Sequence, residues 1–575
     1  MDEGEGIVFG TTAQVEGGAG FGHRVEGEPE PAGGSSGADA GVKFFHLHEL
    51  PNTHFHSFTV EWVSFSLESA HRGHMGEQYN QLLQHLTTLE QFDRINIILR
   101  WDQQVNMPPK GAKARAAQRA MVVRLRNELI TSDMMRRAIE VAEQEMQRAP
   151  ADSDEASMIR LARHEYEEAT RLPADMTAQI EETTALGNQA WVSARAAGDF
   201  SIFLPAFKRI LDLTRRKADY LGYAEHPYDA LVGESDPDLT AANVQLLFNA
   251  HKPGLIALLN EIRQRPEPDN SFIHQPFDVA KQREFTIEVI KAMGYDFERG
   301  RFDSYVHPLE VTFGRGDVRV ATRFEPEYLI IGPFGAIHEV GHALYEQGIP
   351  ERLDGTPLGH GTTWLIHESQ ARLWENNVGF SRELWTWAYP RLQSYFPEQL
   401  GKVEFESFYR GITRVKPTTI RVDADEVTYN LHIMLRTELE MELVRGALQP
   451  EDVPKAWNER FEAYLGIEPP AVSLGPLQDI HWSIGLIGYF PMYALGNLAS
   501  AQQWYKVLDD HPTLPAEMAQ GKFDTLLGWL NTNIHAHGRK FQTDALLKKA
   551  TGRGLEADSF MRYLRERYGG LYGIE

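Results

Sequence analysis

Phe334-Gly335-Ala336-Ile337-His338-Glu339-Val340-Gly341-His342-Ala343-Leu344-Tyr345-Glu346 is the stretch that decides how the chain is read. Ile337, Val340 and Leu344 recur at helical spacing, which predicts a buried helix. His338 and His342 leave one face of that helix a turn apart. Two neutral imidazoles so placed suit one zinc-sized cation. Glu339 follows the first histidine and sits to the side, where it can take a proton from a cation-activated water. Burying two histidines and a carboxylate is costly unless they are paired or used. A buried helix with merely hydrogen-bonded histidines is the plainer alternative.

A third ligand is at hand downstream. His367-Glu368-Ser369-Gln370-Ala371-Arg372 opens a second helical pattern. Gly348, Pro350, Gly355, Pro357, Gly359 and Gly361 mark a loop between the two helices. Two histidines and Glu368 leave the fourth position of a tetrahedral ion open to water, the catalytic rather than the structural arrangement. The alternative for Glu368 is an ion pair with Arg372 at i+4.

Other segments extend the pattern: Trp101-Asp102-Gln103, Met107-Pro108-Pro109, Asp317-Val318-Arg319 and Ile420-Arg421-Val422-Asp423-Ala424-Asp425. Gly475-Pro476-Leu477-Gln478-Asp479-Ile480-His481-Trp482 and Gly488-Tyr489-Phe490-Pro491-Met492-Tyr493 complete it. In this order, over residues 77–575, the chain resembles the M32 metallocarboxypeptidases of the carboxypeptidase Taq type. The resemblance implies a mainly α, two-lobed helical zincin with a small β-hairpin or sheet beside a deep groove. It implies one divalent ion per subunit, zinc or cobalt, on His338, His342 and Glu368. It also implies stepwise removal of C-terminal residues with broad specificity, and a homodimer. Arg421 becomes the clamp for the substrate's terminal carboxylate, a task that a planar guanidinium suits. Asp317 and Arg319 become substrate contacts, while His481, Tyr489 and Tyr493 are candidates for stabilising the oxyanion. The family usually has His-Pro-Phe where this chain has His307-Pro308-Leu309, and Thr where it has Ala321. Both departures bear on substrate contacts rather than on the metal.

Composition agrees with a soluble enzyme. The 575 residues are 42% hydrophobic, and no apolar run approaches membrane-spanning length. Lys+Arg 57 against Asp+Glu 81 gives −24, which argues against a nucleic-acid partner. There is no cysteine, so disulfides, thiolate metal sites and cysteine nucleophiles are excluded; a reducing cytoplasm is the expected location. Residues 1–76 are rich in Gly, Glu, Pro and Ser at their start and read as a disordered or atypical N-terminal extension. His46, His48, His54 and His56 within it predict at most adventitious metal binding. From residue 77 the pattern turns helical, with helices expected over 115–127, 133–148, 157–171 and 177–197. Trp101 and the Met-Pro-Pro read as packing and turn elements. Residues 303–333 predict a hairpin whose edge can receive an extended peptide as an added strand. An amphipathic helix ending at Gly569-Gly570 closes the chain. Two rival functions remain open: an endopeptidase on the same scaffold, with Arg421 structural, and a non-catalytic metal-binding helical protein.

Overall fold

In a computed structural model the described residues are 76–574. The expectations for residues 1–75 lie outside them. Four helices begin the described chain: Glu77–Val105, Ala112–Ile130, Asp133–Glu145 and Asp154–Arg171. Ser132 and Ser153 cap the third and fourth by accepting hydrogen bonds from Met135 and Ala156 N–H. The first two run as a hairpin, clasped by Arg115 on Asp102 and Arg126 on Asp93. Tyr79, Leu82, Leu86, Leu89, Met135 and Ile139 are buried here, outside the principal core. That core starts at Trp191 and reaches Tyr572.

One small sheet is set within the stretch of chain that builds this core. Strands β1 (Gly300–Ser304), β2 (Leu309–Thr312) and β3 (Val318–Thr322) are ordered β1-β3-β2. The expected hairpin is β2 with β3; β1 joins it in parallel. Its sequence hid it, because Phe302 is its sole buried residue and its partner is not a chain neighbour. The sheet has two unlike faces, as alternation requires. Leu309 and Val311, paired with Ala321 and Arg319, face Trp101 of the first helix, whose ring meets Phe313 edge-on. Glu310 and Thr312, paired with Val320 and Val318, share the opposite face. There the two valines pack into the principal core beside Ala336 and Val340.

The helix Ile331–Gly348 carries the His-Glu-x-x-His motif along that second face. A loop leads to the helix Trp364–Arg372, capped by Thr363, which widens into the π-helical turn Leu373–Gly379. These two helices cross closely: a Cβ on Gly341 would stand 2.6 Å from Ala371 Cα. From a third side comes the helix Pro491–Asp510, where a Cβ on Gly496 would stand 2.7 Å from Glu368 Cγ. Bare backbone at both points is what lets Glu368 reach the two histidines. The last helix, Asp558–Tyr572, runs through Gly569-Gly570 rather than ending there. Ile574 N–H folds back onto Gly569 O, an approach that a side chain at Gly569 would crowd.

Candidate metal centre

His338, His342 and Glu368 offer three ligand atoms within 4.8 Å of one another. Glu368 Oε2 stands 3.8 Å from His338 Nε2 and 3.7 Å from His342 Nε2, too far for hydrogen bonds. Atoms surrounding one ion at about 2.0–2.2 Å are spread in this way. The outward nitrogens are already held. His338 Nδ1–H donates to Glu375 Oε2 (2.8 Å), and His342 Nδ1 meets His367 Nδ1 (2.6 Å). Each imidazole therefore turns Nε2 inward, and the donor set fits a divalent cation. Glu368 Oε1 accepts from Arg372 Nε at 2.7 Å, the expected i+4 pair, while Oε2 faces the histidines. Arg372 also donates to Glu375 and to the Tyr429 hydroxyl.

Protonation in this cluster follows its charges. Burial pushes the His338 pKa down, but Glu375 and Glu368 outweigh it and lift it to about 9. His342, buried and close to His367 and His338, is held well below the usual histidine range. Glu339 is buried and accepts no hydrogen bond from the described residues. Burial raises its pKa and His338 opposes; Glu310, Glu368 and Glu375 add to the rise, to about 8.

Behind His342 the chain of contacts continues. His367 Nε2–H donates to Glu346 Oε1 (3.0 Å), and Glu346 also lies near His360, which meets Glu90 of the first helix at 2.6 Å. His367, Glu346, His360 and Glu90, with Glu375, carried no assigned role in the sequence, and Arg372 only that of an ion-pair partner for Glu368. The signal for Glu375 was its seven-residue spacing from Glu368 along one helical run, two turns on the same face.

The remaining candidates fall into two places. Arg421 is buried, with Nε and Nη2 on Asp479 Oδ1 at 3.0 and 2.9 Å and Nη1 on the Tyr429 hydroxyl at 3.2 Å. Asp479 also serves the fully buried Arg436, so two guanidiniums share one carboxylate. Arg421 lies over the Tyr493 ring, and the Tyr493 hydroxyl meets His481 Nε2 at 3.2 Å. Burial keeps Tyr489 and Tyr493 far above the usual tyrosine range, as neutral hydroxyls. Burial likewise presses His481 down to about 3, against the pull of Asp479. Tyr489 and Tyr493 feel the Glu368 charge; His481 stands behind them. Asp317 and Arg319 are placed elsewhere. They grip each other at 2.8 and 2.7 Å, and Arg319 stacks on Phe313, on the sheet face turned away from the metal helix.

Comparison with known proteins gives this geometry its setting. The profile of the carboxypeptidase Taq (M32) metallopeptidases matches residues 81–568. Thermostable carboxypeptidase 1 of Thermus thermophilus is 39% identical over 506 residues, 86% of this chain and 99% of that protein. Carboxypeptidase 1 of Bacillus subtilis is 36% identical over 488 residues, 85% of this chain and 97% of that protein. The crystal structure of an M32 carboxypeptidase from Deinococcus radiodurans superposes with a TM-score of 0.83 at 37% identity, covering 87% of this chain and 100% of that one. Metallocarboxypeptidase 1 of Trypanosoma cruzi gives 0.81 at 32%, covering 86% and 99%. A match of this extent, over a fold that gathers two histidines and a glutamate around one point, makes the chain a member of the M32 family of metallocarboxypeptidases.

Proposed function

We propose that His338, His342 and Glu368 hold zinc, with cobalt able to substitute, and that Glu339 is the general base. The observation that carries this reading is the convergence of the three ligand atoms beside a carboxylate that no hydrogen bond restrains. When bound, the ion supplies Lewis acidity to the peptide carbonyl and to the attacking water. Glu339 takes the proton of that water and passes it to the leaving amine. Tyr489 or Tyr493, backed by His481, donates a hydrogen bond to the carbonyl oxygen as charge builds there. Arg421 receives the terminal carboxylate; its guanidinium, held by Asp479 and lying over the Tyr493 ring beside the candidate oxyanion donors, supports this role. The peptide adds to β2 as a strand, and Asp317 with Arg319 brace the hairpin that receives it.

Peptides with a free C-terminus are the substrates, met in the cytoplasm by a homodimer. The absence of cysteine suits a reducing compartment, and −24 disfavours nucleic acid. Among the described residues no helix is long and apolar enough to cross a membrane.

Two peptides identical but for a free or amidated C-terminus test the reading, with zinc-loaded and chelated protein and mass detection. Metal-dependent stepwise shortening of the free peptide alone is expected. Internal cutting of both would instead make Arg421 structural and the activity endopeptidase-like. Glu339→Gln is expected to lower turnover by about 10²–10⁴-fold while keeping the metal.

A further inference from the structure

The helix that delivers Glu368 buries almost all of itself. Between Trp364 and Arg372, six residues are buried, and His367 and Arg372 are half-buried. Trp364 is the exception, 56% exposed, and it is the one exposed tryptophan among the described residues. A solitary apolar side chain in water is common on protein surfaces; what marks this one is where it stands. It precedes Glu368 by four residues, so the two leave neighbouring turns of one helical face. Its ring centre lies 6.4 Å from that of His367 and 6.1 Å from that of Tyr489, the latter an edge-to-face pair at 68°. Tyr489 is 5.2 Å from Tyr493, whose ring lies 5.1 Å from the Arg421 guanidinium carbon.

A row of rings therefore links the carboxylate clamp to Trp364, and only its last member stands open. The backbone beneath that member is fixed. Trp364 N–H donates to Ser235 O at 3.4 Å, and the capping Thr363 hydroxyl meets that of Thr543 at 2.6 Å. The indole N–H has no acceptor among the described residues. A ring held in place from below, with open surface above, is preorganised to receive another flat side chain. We propose that Trp364 is a specificity-determining residue, whose ring packs on the side chain of a substrate residue flanking the scissile bond, so that an aromatic side chain there is selected. This rests on the metal centre and the Arg421 clamp proposed above.

Two series of N-acetylated tripeptides test this by kcat/KM. One varies the residue before the scissile bond as Phe or Ala with the terminal residue fixed; the other varies the terminal residue in the same way. A Phe-to-Ala ratio of about three- to tenfold is expected in at least one series. Trp364→Ala should bring that ratio to within about twofold of unity, and Trp364→Phe should keep most of it. The series in which the ratio collapses names the subsite that Trp364 lines. No Phe preference in either series of the native enzyme, or one that survives Trp364→Ala wherever it occurs, overturns the proposal. A ratio cancels any uniform loss of turnover, and a zinc titration of each variant checks the metal site. Where the alanine variant folds poorly, Trp364→Gln reads the same ratio, since the position faces water. Failure of every peptide to lose its C-terminal residue would instead sink the activity reading, so the two failures are distinct.

Discussion

Only one of the two Nδ1 atoms of His342 and His367 can carry the proton that lies between them at 2.6 Å. A cation on His342 Nε2 needs that proton on His342 Nδ1, so His367 must accept on Nδ1 and donate Nε2–H to Glu346. His367 therefore orients a ligand without touching the ion. His367→Phe is expected to weaken zinc binding by about 10–100-fold, whereas His367→Asn, which can place an amide oxygen near the lost Nδ1, should retain much of it. Calorimetric titration separates the two; equal losses would mean that the ring matters only as packing. The same proton accounting makes metal uptake pH-dependent. His338, lifted to about 9, must lose its proton to bind, so zinc affinity rises between pH 6 and 9 with proton release. Buffers of different ionisation enthalpy read that release directly.

Elements place these side chains through close backbone approach. Replacing Gly341 with Val would drive a branched side chain into Ala371 and push the Glu368 helix away from the histidines. A loss of about 1–3 kcal/mol in stability is expected, together with weaker metal binding. Gly233→Ala, whose Cβ meets nothing within 4 Å, is the control for chemical denaturation and zinc titration. This crossing also marks the limit of what the sequence could say. The motif helix was legible because apolar spacing and ligand spacing coincide at Ile337, His338, Val340 and His342. Helices near 112–130 and 174–197 were legible from periodicity, and the β2–β3 hairpin from alternation. The parallel β1, the π-helical turn that delivers Glu375, and the Glu346–His360–Glu90 chain were not. Each depends on contacts between distant segments, which no local period encodes.

Across the whole molecule, the first helix is fastened to the metal lobe by buried charge. Glu90 meets His360 at 2.6 Å, and Arg94 pairs with both Glu90 and Asp354. Burial lowers the His360 pKa, but Glu346 and Glu90 raise it past the ordinary 6.5 to about 10. The folded state thus binds its proton more tightly than the unfolded chain does. The stabilisation is complete below pH 6.5 and disappears as pH climbs through about 10. Guanidinium midpoints measured from pH 6 to 10.5 should fall over that window, and His360→Gln should flatten the fall. A native profile already flat would remove His360 from this role. At this scale the family and the helical architecture were readable from motifs spread over 77–575, while the fastening between lobes was not, since Glu90 looks like any helix-surface carboxylate in a charged stretch.

Hydrogen bonds link His342 through His367 to Glu346, and a 3.6 Å charge contact carries the series on to His360, which meets Glu90 on the first helix. Occupancy of the cation site and docking of the N-terminal helices are then two readings of one equilibrium. If docking raises cation affinity by some factor, the cation must favour the docked helices by that same factor. Stripping the ion should therefore quicken amide hydrogen exchange in the helix Glu77–Val105, which supplies none of the three ligands. Trimming Glu90 should in turn loosen the hold on zinc. The metal would act as a fastener of the first helix, reached through its second layer of contacts.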